Sequence, residues 1–321
     1  MDRISLDERY VDLGVKFIDQ EDLDRALRYL NRALSLNSKS YLAYYNRGIV
    51  YDLKDRLEDA LADYNRALEL KPSHLGSLHN RGVVLRELGR TEESLKCFDQ
   101  VLRFVPDNDD VIYNRGAALA DLGKLDEAIE HYDRAIRLEA NKIDARIAKG
   151  NALIELGRYS EATAVADEIL GIEPGSVDGF VMKGFAQMDE DHLEAAIESF
   201  SQALQTQSDD HTALLHRGVA FLRLRQNEKA VRDLNAALKN HPDCDEVFYN
   251  LAIAYVELGN RDAAIDALQT AIEIHPPRRA DAQTAKEFES LRTEPRFRAV
   301  LARPGRARKE SPPQGNSSNG K

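Results

Sequence analysis

Tyr44-Tyr45-Asn46-Arg47-Gly48 returns as Leu78-His79-Asn80-Arg81-Gly82 and Ile112-Tyr113-Asn114-Arg115-Gly116, and more loosely as Leu214-Leu215-His216-Arg217-Gly218. The glycine recurs as Gly14, Gly48, Gly82, Gly116, Gly150, Gly184 and Gly218, with Ala252 in the next place. Each step is 34 residues, across eight copies, with no insertion or deletion. A strict period of this size marks a stacked array, in which each unit buries its apolar face only against its neighbours. At about 150 residues per domain the chain would suggest two globular domains. The repeat overrides that expectation, because a solenoid grows along one axis and needs no closed core.

Position 1 is set at Asp7, Tyr41, Leu75, Asp109, Ile143, Val177, His211 and Asp245. Positions 4, 7, 8 and 11 then share one face of a first helix, at the three-and-four spacing that makes a helix amphipathic. Position 4 is large and apolar in Tyr10, Tyr44, Leu78, Ile112, Phe180, Leu214 and Phe248; Arg146 is the misfit. Position 11 is Phe17, Tyr51, Leu85, Leu119, Leu153, Phe221 and Tyr255, with Gln187 as the misfit. Gly89, Gly123, Gly157 and Gly259 stand at position 15, where a glycine ends a helix in the left-handed conformation. A second helix follows, with alanine at position 20 in every copy but the third, which has Ser94. Position 24 is bulky: Leu30, Tyr64, Phe98, Tyr132, Phe200, Leu234 and Leu268. Pro72, Pro106, Pro174, Pro242 and Pro276 close the unit, since proline cannot continue the hydrogen-bond ladder.

These residues resemble the tetratricopeptide repeat (TPR) family, whose helix-turn-helix pattern of large, small, alanine, aromatic, alanine and proline they follow over residues 7–278. The resemblance implies an all-α, right-handed superhelical solenoid. The chain then divides into a leader at 1–6, eight TPR repeats at 7–278, a capping helix region at 279–302 and a basic tail at 303–321. Ala285, Phe288, Leu291, Phe297, Val300 and Leu301 supply the apolar face of the cap. The Pro/Gly/Ser/Asn-rich stretch from Arg303 predicts disorder. Two features depart from the family pattern. No repeat has Trp at position 4. Position 7, usually leucine, is Arg47, Arg81, Arg115, Lys149, Lys183 and Arg217 in the six internal repeats, with Leu13 and Leu251 only at the ends. A long basic stem can cover apolar surface, which leaves the direction of these charges open. Arg146, Ala166 and Gln187, with Gly171, Gly175 and Gly179, make repeats 5 and 6 the weak part of the array.

In the TPR family the first helices line a concave face that binds extended peptides or partner helices. Positions 2, 5, 6, 9, 12 and 13 would face that groove. Position 6 gives Asn46, Asn80, Asn114 and Asn250, with His216 in repeat 7; position 5 gives Tyr45, His79, Tyr113 and Tyr249. A carboxamide supplies both a donor and an acceptor to a peptide backbone, so these nine residues are the candidate partner-binding set. Position 9 is mostly apolar, and positions 2 and 13 are rich in Asp and Glu, so the groove is expected to have an apolar floor and acidic rims. The lysines of the carboxylate clamp found in chaperone-binding members are absent, which argues against acidic chaperone tails as partners. A protein or peptide partner of basic or apolar character is expected.

Other function classes fare worse. There is no Gly-rich phosphate loop, HExxH or GxSxG, and no non-repeat domain to house a catalytic site. No enzyme activity, small-molecule substrate, cofactor or metal is expected; His211 and His216 fall on different helix faces. Net charge is −11, from 44 basic and 55 acidic side chains. An acidic body repels phosphate backbones, and the alternative of a nucleic-acid or anionic-surface adaptor rests on the basic C-terminal tail. Cys97 and Cys244 form no ligand spacing and suggest a reducing compartment. No apolar run approaches the roughly 18 residues of a membrane span. The expectation is a cytoplasmic interaction scaffold.

Overall fold

The structure, a computed structural model, describes residues 5–302; the first four residues and the basic stretch from Arg303 lie outside the described part. Sixteen helices run in eight consecutive antiparallel pairs. The first helices of the pairs are α1 (Leu6–Asp19), α3 (Tyr41–Leu53), α5 (Leu75–Glu87), α7 (Asp109–Asp121), α9 (Ile143–Glu155), α11 (Val177–Asp189), α13 (His211–Arg223) and α15 (Asp245–Glu257). The second helices are α2 (Leu23–Leu36), α4 (Leu57–Leu70), α6 (Thr91–Phe104), α8 (Leu125–Leu138), α10 (Tyr159–Ile172), α12 (Leu193–Thr206), α14 (Asn227–Ala237) and α16 (Arg261–Ile274). Then come α17 (Arg278–Thr284), a 3-10 segment at Lys286–Leu291 and α18 (Pro295–Ala302). No strand occurs among the described residues. The chain divides between Ile172 and Glu173 into two compact units, the first holding α1–α10 and the second α11–α18.

Local chemistry sets the helix ends. Ser5 opens α1 with a reciprocal capping box to Glu8, and Ser40, Asn108, Ser176 and Asp210 cap later first helices through side-chain oxygens. Position 15 has positive φ in every repeat. Gly89, Gly123, Gly157 and Gly259 take it at 72–73°, and Glu21, Asp55, Asp191 and Arg225 are held there at 56–65°. Those four pay the steric cost that glycine avoids.

The recurring glycine at position 8 makes room for position 24 of its own second helix. A β-carbon on Gly48, Gly82 or Gly184 would lie 2.6 Å from the ring of Tyr64, Phe98 or Phe200. Each of those rings is fully buried. Positions 3 and 10, two helical turns apart, carry the contact with the preceding pair. Ala43, Ser77 and Val111 at position 3, and Val50, Val84 and Ala118 at position 10, have no exposed surface. Repeat 1 has Arg9 and Lys16 in those places, both exposed, so the first pair presents charge where later pairs present a buried seam. At the other end, Phe288, Leu291, Phe297 and Val300 are buried, and α17, the 3-10 segment and α18 pack on α15 and α16.

The position-7 cations of repeats 2–5 and 7 turn toward the second helices and keep only partial access to water. Arg47 grips Asp63, sixteen residues on, through Nε at 2.7 Å and Nη2 at 2.8 Å, and reaches Asn31, sixteen back, at 2.6 Å. Arg217 repeats this with Asp233 at 2.6 and 2.9 Å and Ser201 at 3.0 Å. Arg115 donates to Asp99 at 2.9 Å and to His131. Lys149 meets Asp133 at 2.7 Å, and Arg81 reaches Cys97 Sγ at 3.3 Å and Asn65 at 3.4 Å. Arg47, Arg81, Arg115 and Arg217 thus tie their own second helix to that of the preceding repeat, and Lys149 holds the preceding one alone. The misfits are also accommodated: Arg146, 7% exposed, pairs with Glu168 at 3.1 Å, and Gln187 accepts a 2.7 Å bond from Ser199.

Candidate functional site on the inner faces

Within each unit, successive first helices touch one another: α1 with α3, α3 with α5, α5 with α7 and α7 with α9, then α11 with α13 and α13 with α15. Second helices make no contacts of that extent among the described residues. Each unit is therefore curved with its first helices inside, and positions 5, 6, 9 and 12 line that inner face.

In the first unit the sequence-derived residues form a stepped row. Tyr45 packs edge-on to His74 at 4.7 Å and lies over Gly76, where a β-carbon would come 2.9 Å from its hydroxyl. The Asn80 amide stands beside that hydroxyl and donates to Tyr64 Oη at 3.4 Å. One repeat on, the Asn114 amide Nδ2 donates to His79 Nε2 at 3.0 Å. Burial lowers the His79 pKa and raises that of Tyr45. Tyr113 continues the row, tilted against Tyr132 at 5.9 Å. Position 5 of one repeat thus meets position 6 of the next. Asn46 departs from the row: it is buried at 9% exposure and bonds back to Leu42 O at 2.8 Å.

In the second unit the set does not form a row. His216 is wedged 4.3 Å from the Phe185 ring, with Nδ1 buried and without a partner. Burial first, then the His211 charge, pushes its pKa down to about 4. Tyr249 is engaged by the C-terminal cap, edge-on to Phe288 at 5.5 Å and beneath Arg278 at 5.1 Å. Asn250 bonds back to Glu246 O at 2.9 Å.

The acidic rims are in part compensated. Asp110 binds Lys142 at 2.7 Å, Asp121 faces Arg86 at 3.7 Å and Glu257 meets Arg225 at 3.0 Å. Asp52 is different. Burial, with Glu87 adding to it, raises its pKa to about 6. Sequence reasoning had not singled out that pair, although its members stand at positions 12 and 13 of adjacent repeats. No grouping of three His, Cys, Asp or Glu side chains able to hold a metal occurs among the described residues. No helix among them is long and apolar enough to cross a membrane.

No curated protein sequence matches this chain. Among solved structures it is similar to a tetratricopeptide repeat protein from Parabacteroides merdae, 20% identical, with 77% of this chain and 98% of that one covered and a TM-score of 0.63. It is similar to PilW, described as a widely conserved type IV pilus biogenesis factor, at 20% identity, 64% and 94% coverage and a TM-score of 0.59. Pseudomonas aeruginosa pilF aligns at 17% identity, 68% and 96% coverage and a TM-score of 0.56. These likenesses show the fold. Tetratricopeptide repeat models also match residues 110–142 and 82–123, and none of these family matches reaches residues 143–180. One further such model matches residues 11–74, 181–231 and 217–279, just over half of the sequence, and the chain belongs to the tetratricopeptide repeat family.

Proposed function

We propose that the chain is a non-catalytic interaction scaffold whose first unit captures an extended segment of a partner protein on its inner face. The observation that carries this reading is the stepped row from Tyr45 through Asn80 and His79 to Asn114 and Tyr113. The hydrogen bonds of Asn80 and Asn114 run through Nδ2, and their Oδ1 acceptors take no donor among the described residues. Two acceptors one repeat apart, flanked by aromatic rings, suit the N–H groups of an extended backbone. Tyr45, His79 and Tyr113 supply flat apolar contact, and the carboxyl pair of Asp52 and Glu87 favours a lysine or arginine on the bound segment. His216, Tyr249, Asn46 and Asn250 act more in packing than in contact with this ligand.

The test is selection from a random peptide library on the full chain, followed by anisotropy with a selected peptide. Asn80→Ala with Asn114→Ala should weaken binding about tenfold, with amide protection by the peptide confined to α3, α5 and α7. Unchanged affinity, or protection confined to other helices, would remove the row as the binding surface.

A further inference from the structure

The inner face of the second unit is built from different chemistry. At position 12 the first unit carries Ile18, Asp52, Arg86, Ala120 and Ile154, so its strip is interrupted by charge. The second unit carries Met188, Leu222 and Val256 there, with Phe185, Val219 and Ile253 at position 9. Positions 9 and 12 stand nearly one turn apart on the same helix face. The three helices therefore present two apolar rows side by side. Phe185, Val219, Leu222, Ile253 and Val256 are half-buried, each packed on the same core cluster with part of its surface open, while Met188 is buried. An apolar strip that crosses three helices and stays open to water differs from singly scattered surface hydrophobes, and such strips mark interaction surfaces.

Charge at the ends of the strip says what fits it. Asp178 and Glu246 stand at position 2, and Asp189 and Glu257 at position 13, with Glu257 already engaged by Arg225 at 3.0 Å. Arg223, the cation among the position-13 residues, is tied to Met188 O at 2.8 Å and Asp191 at 2.7 Å. The carboxylates of Asp178, Asp189 and Glu246 thus border the strip, which among the described residues carries no hydrogen-bonding ladder like that of the first unit. The C-terminal cap meets α15 at Tyr249 and leaves part of the surface of Ile253 and Val256 open.

We infer that the second unit holds its own docking surface, which takes a peptide segment presenting aliphatic side chains between lysine or arginine flanks. This rests on the reading that inner faces of this array bind peptides, and adds that the two units select different sequences. The first reads backbone and aromatic contacts; the second reads aliphatic bulk, bounded by positive charge.

Three synthetic probes of equal length separate the terms: a leucine–lysine peptide, its leucine–glutamate counterpart and its serine–lysine counterpart. Fluorescence anisotropy with the full chain should show the first binding at least about tenfold more tightly than either of the others. Leu222→Gln, and separately Val219→Gln, should each weaken it about fivefold or more. Circular dichroism checks that each variant is folded, and two substitutions keep the test alive if one is not. Equal affinity for the three peptides, or indifference to both substitutions, overturns the inference. If the leucine–lysine peptide responds to Asn80→Ala with Asn114→Ala and not to the second-unit variants, the inference fails while the general peptide-binding reading stands. If no variant in either unit alters any peptide's binding, both fail.

Discussion

Asp63→Ala would strand the Arg47 guanidinium between α3 and the flanking second helices. The Asp63 side chain is 7% exposed and that of Arg47 is 21% exposed. Removing one partner of a buried pair costs roughly 3–5 kcal/mol. Arg47 keeps some access to water and its bond to Asn31, so about 2–3 kcal/mol is the expected loss. Arg47→Leu alone should cost a similar amount, because it leaves a carboxylate buried without its donor. The double variant should behave differently. Repeat 8 already has Leu251 and Ala267 at these two positions, between Phe248 and Tyr255, where repeat 2 has Tyr44 and Tyr51. Arg47→Leu with Asp63→Ala copies that solution and should cost about 1 kcal/mol or less, since apolar replacement of a buried ion pair is close to neutral. Whole-chain melting of an array need not be a single transition, so the readout is amide exchange in α3 and α4. Each single variant should exchange about thirty- to 150-fold faster there, and the double variant less than about tenfold. A double variant as labile as the sum of the two singles would refute the reasoning.

Gly82→Ala would push a β-carbon to 2.6 Å from the buried Phe98 ring and should destabilise by about 2–3 kcal/mol in urea titration; adding Phe98→Leu should recover most of it, following Ala252 and Leu268 in repeat 8. Glu21→Gly and Arg225→Gly relieve left-handed strain and should each add about 0.5–1 kcal/mol; an unchanged or lower melting midpoint would count against that strain. His216, with its pKa held down to about 4, contributes stability that is full above its ordinary 6.5 and is lost as pH falls toward 4. Asp52, raised to about 6, has the opposite sign: its contribution is full below 3.8 and is lost as pH rises through 6. As pH rises from about 4 to 6.5 the wild-type melting midpoint should therefore gain on that of His216→Leu, and from about 3.8 to 6 it should lose ground to that of Asp52→Asn; parallel curves for wild type and variants would refute both assignments.

Much of the fold was legible because its determinants recur at a fixed interval. Eight aligned copies average out single misfits such as Arg146, whose Glu168 partner lies 22 residues away and follows no repeat rule. Positions 3 and 10 were harder to see. Alanine, serine and valine do not announce themselves as an interface, and only the contrast with Arg9 and Lys16 in repeat 1 exposes what they do. The candidate site was legible as a set of lining residues and not as a set of free ones. Asn80 and Asn114 stand where the register puts them, but their Nδ2 groups are spent on Tyr64 and His79, sixteen and thirty-five residues away. Asn46 and Asn250, identical in the pattern, bond to their own helix turns. What separates the two pairs is the neighbour at position 5 or 24 of the preceding repeat, a relation between copies that a single consensus column does not contain.

The position-7 cations show the same relation in its strongest form. Arg47, Arg115 and Arg217 each need an acceptor sixteen residues on and another sixteen residues back. The forward partner belongs to the same repeat and the backward partner to the one before, so the cation sits where two pairs must agree in register. Repeat 1 has no preceding second helix among the described residues, and there the position is Leu13. Repeat 8 has Asn235 sixteen back, whose Nδ2 donates to Val231 O at 2.7 Å, but only Ala267, with no acceptor, sixteen on; the position is Leu251. Leucine thus stands only in the two end repeats, each of which lacks at least one of the two partners. A slip of one helical turn between neighbours would leave apolar contacts adjustable but would strand a guanidinium in a desolvated seam, which is the costlier error. The cations thus act on register more than on net stability, and the near-neutral double variant is the measurement that separates those two contributions.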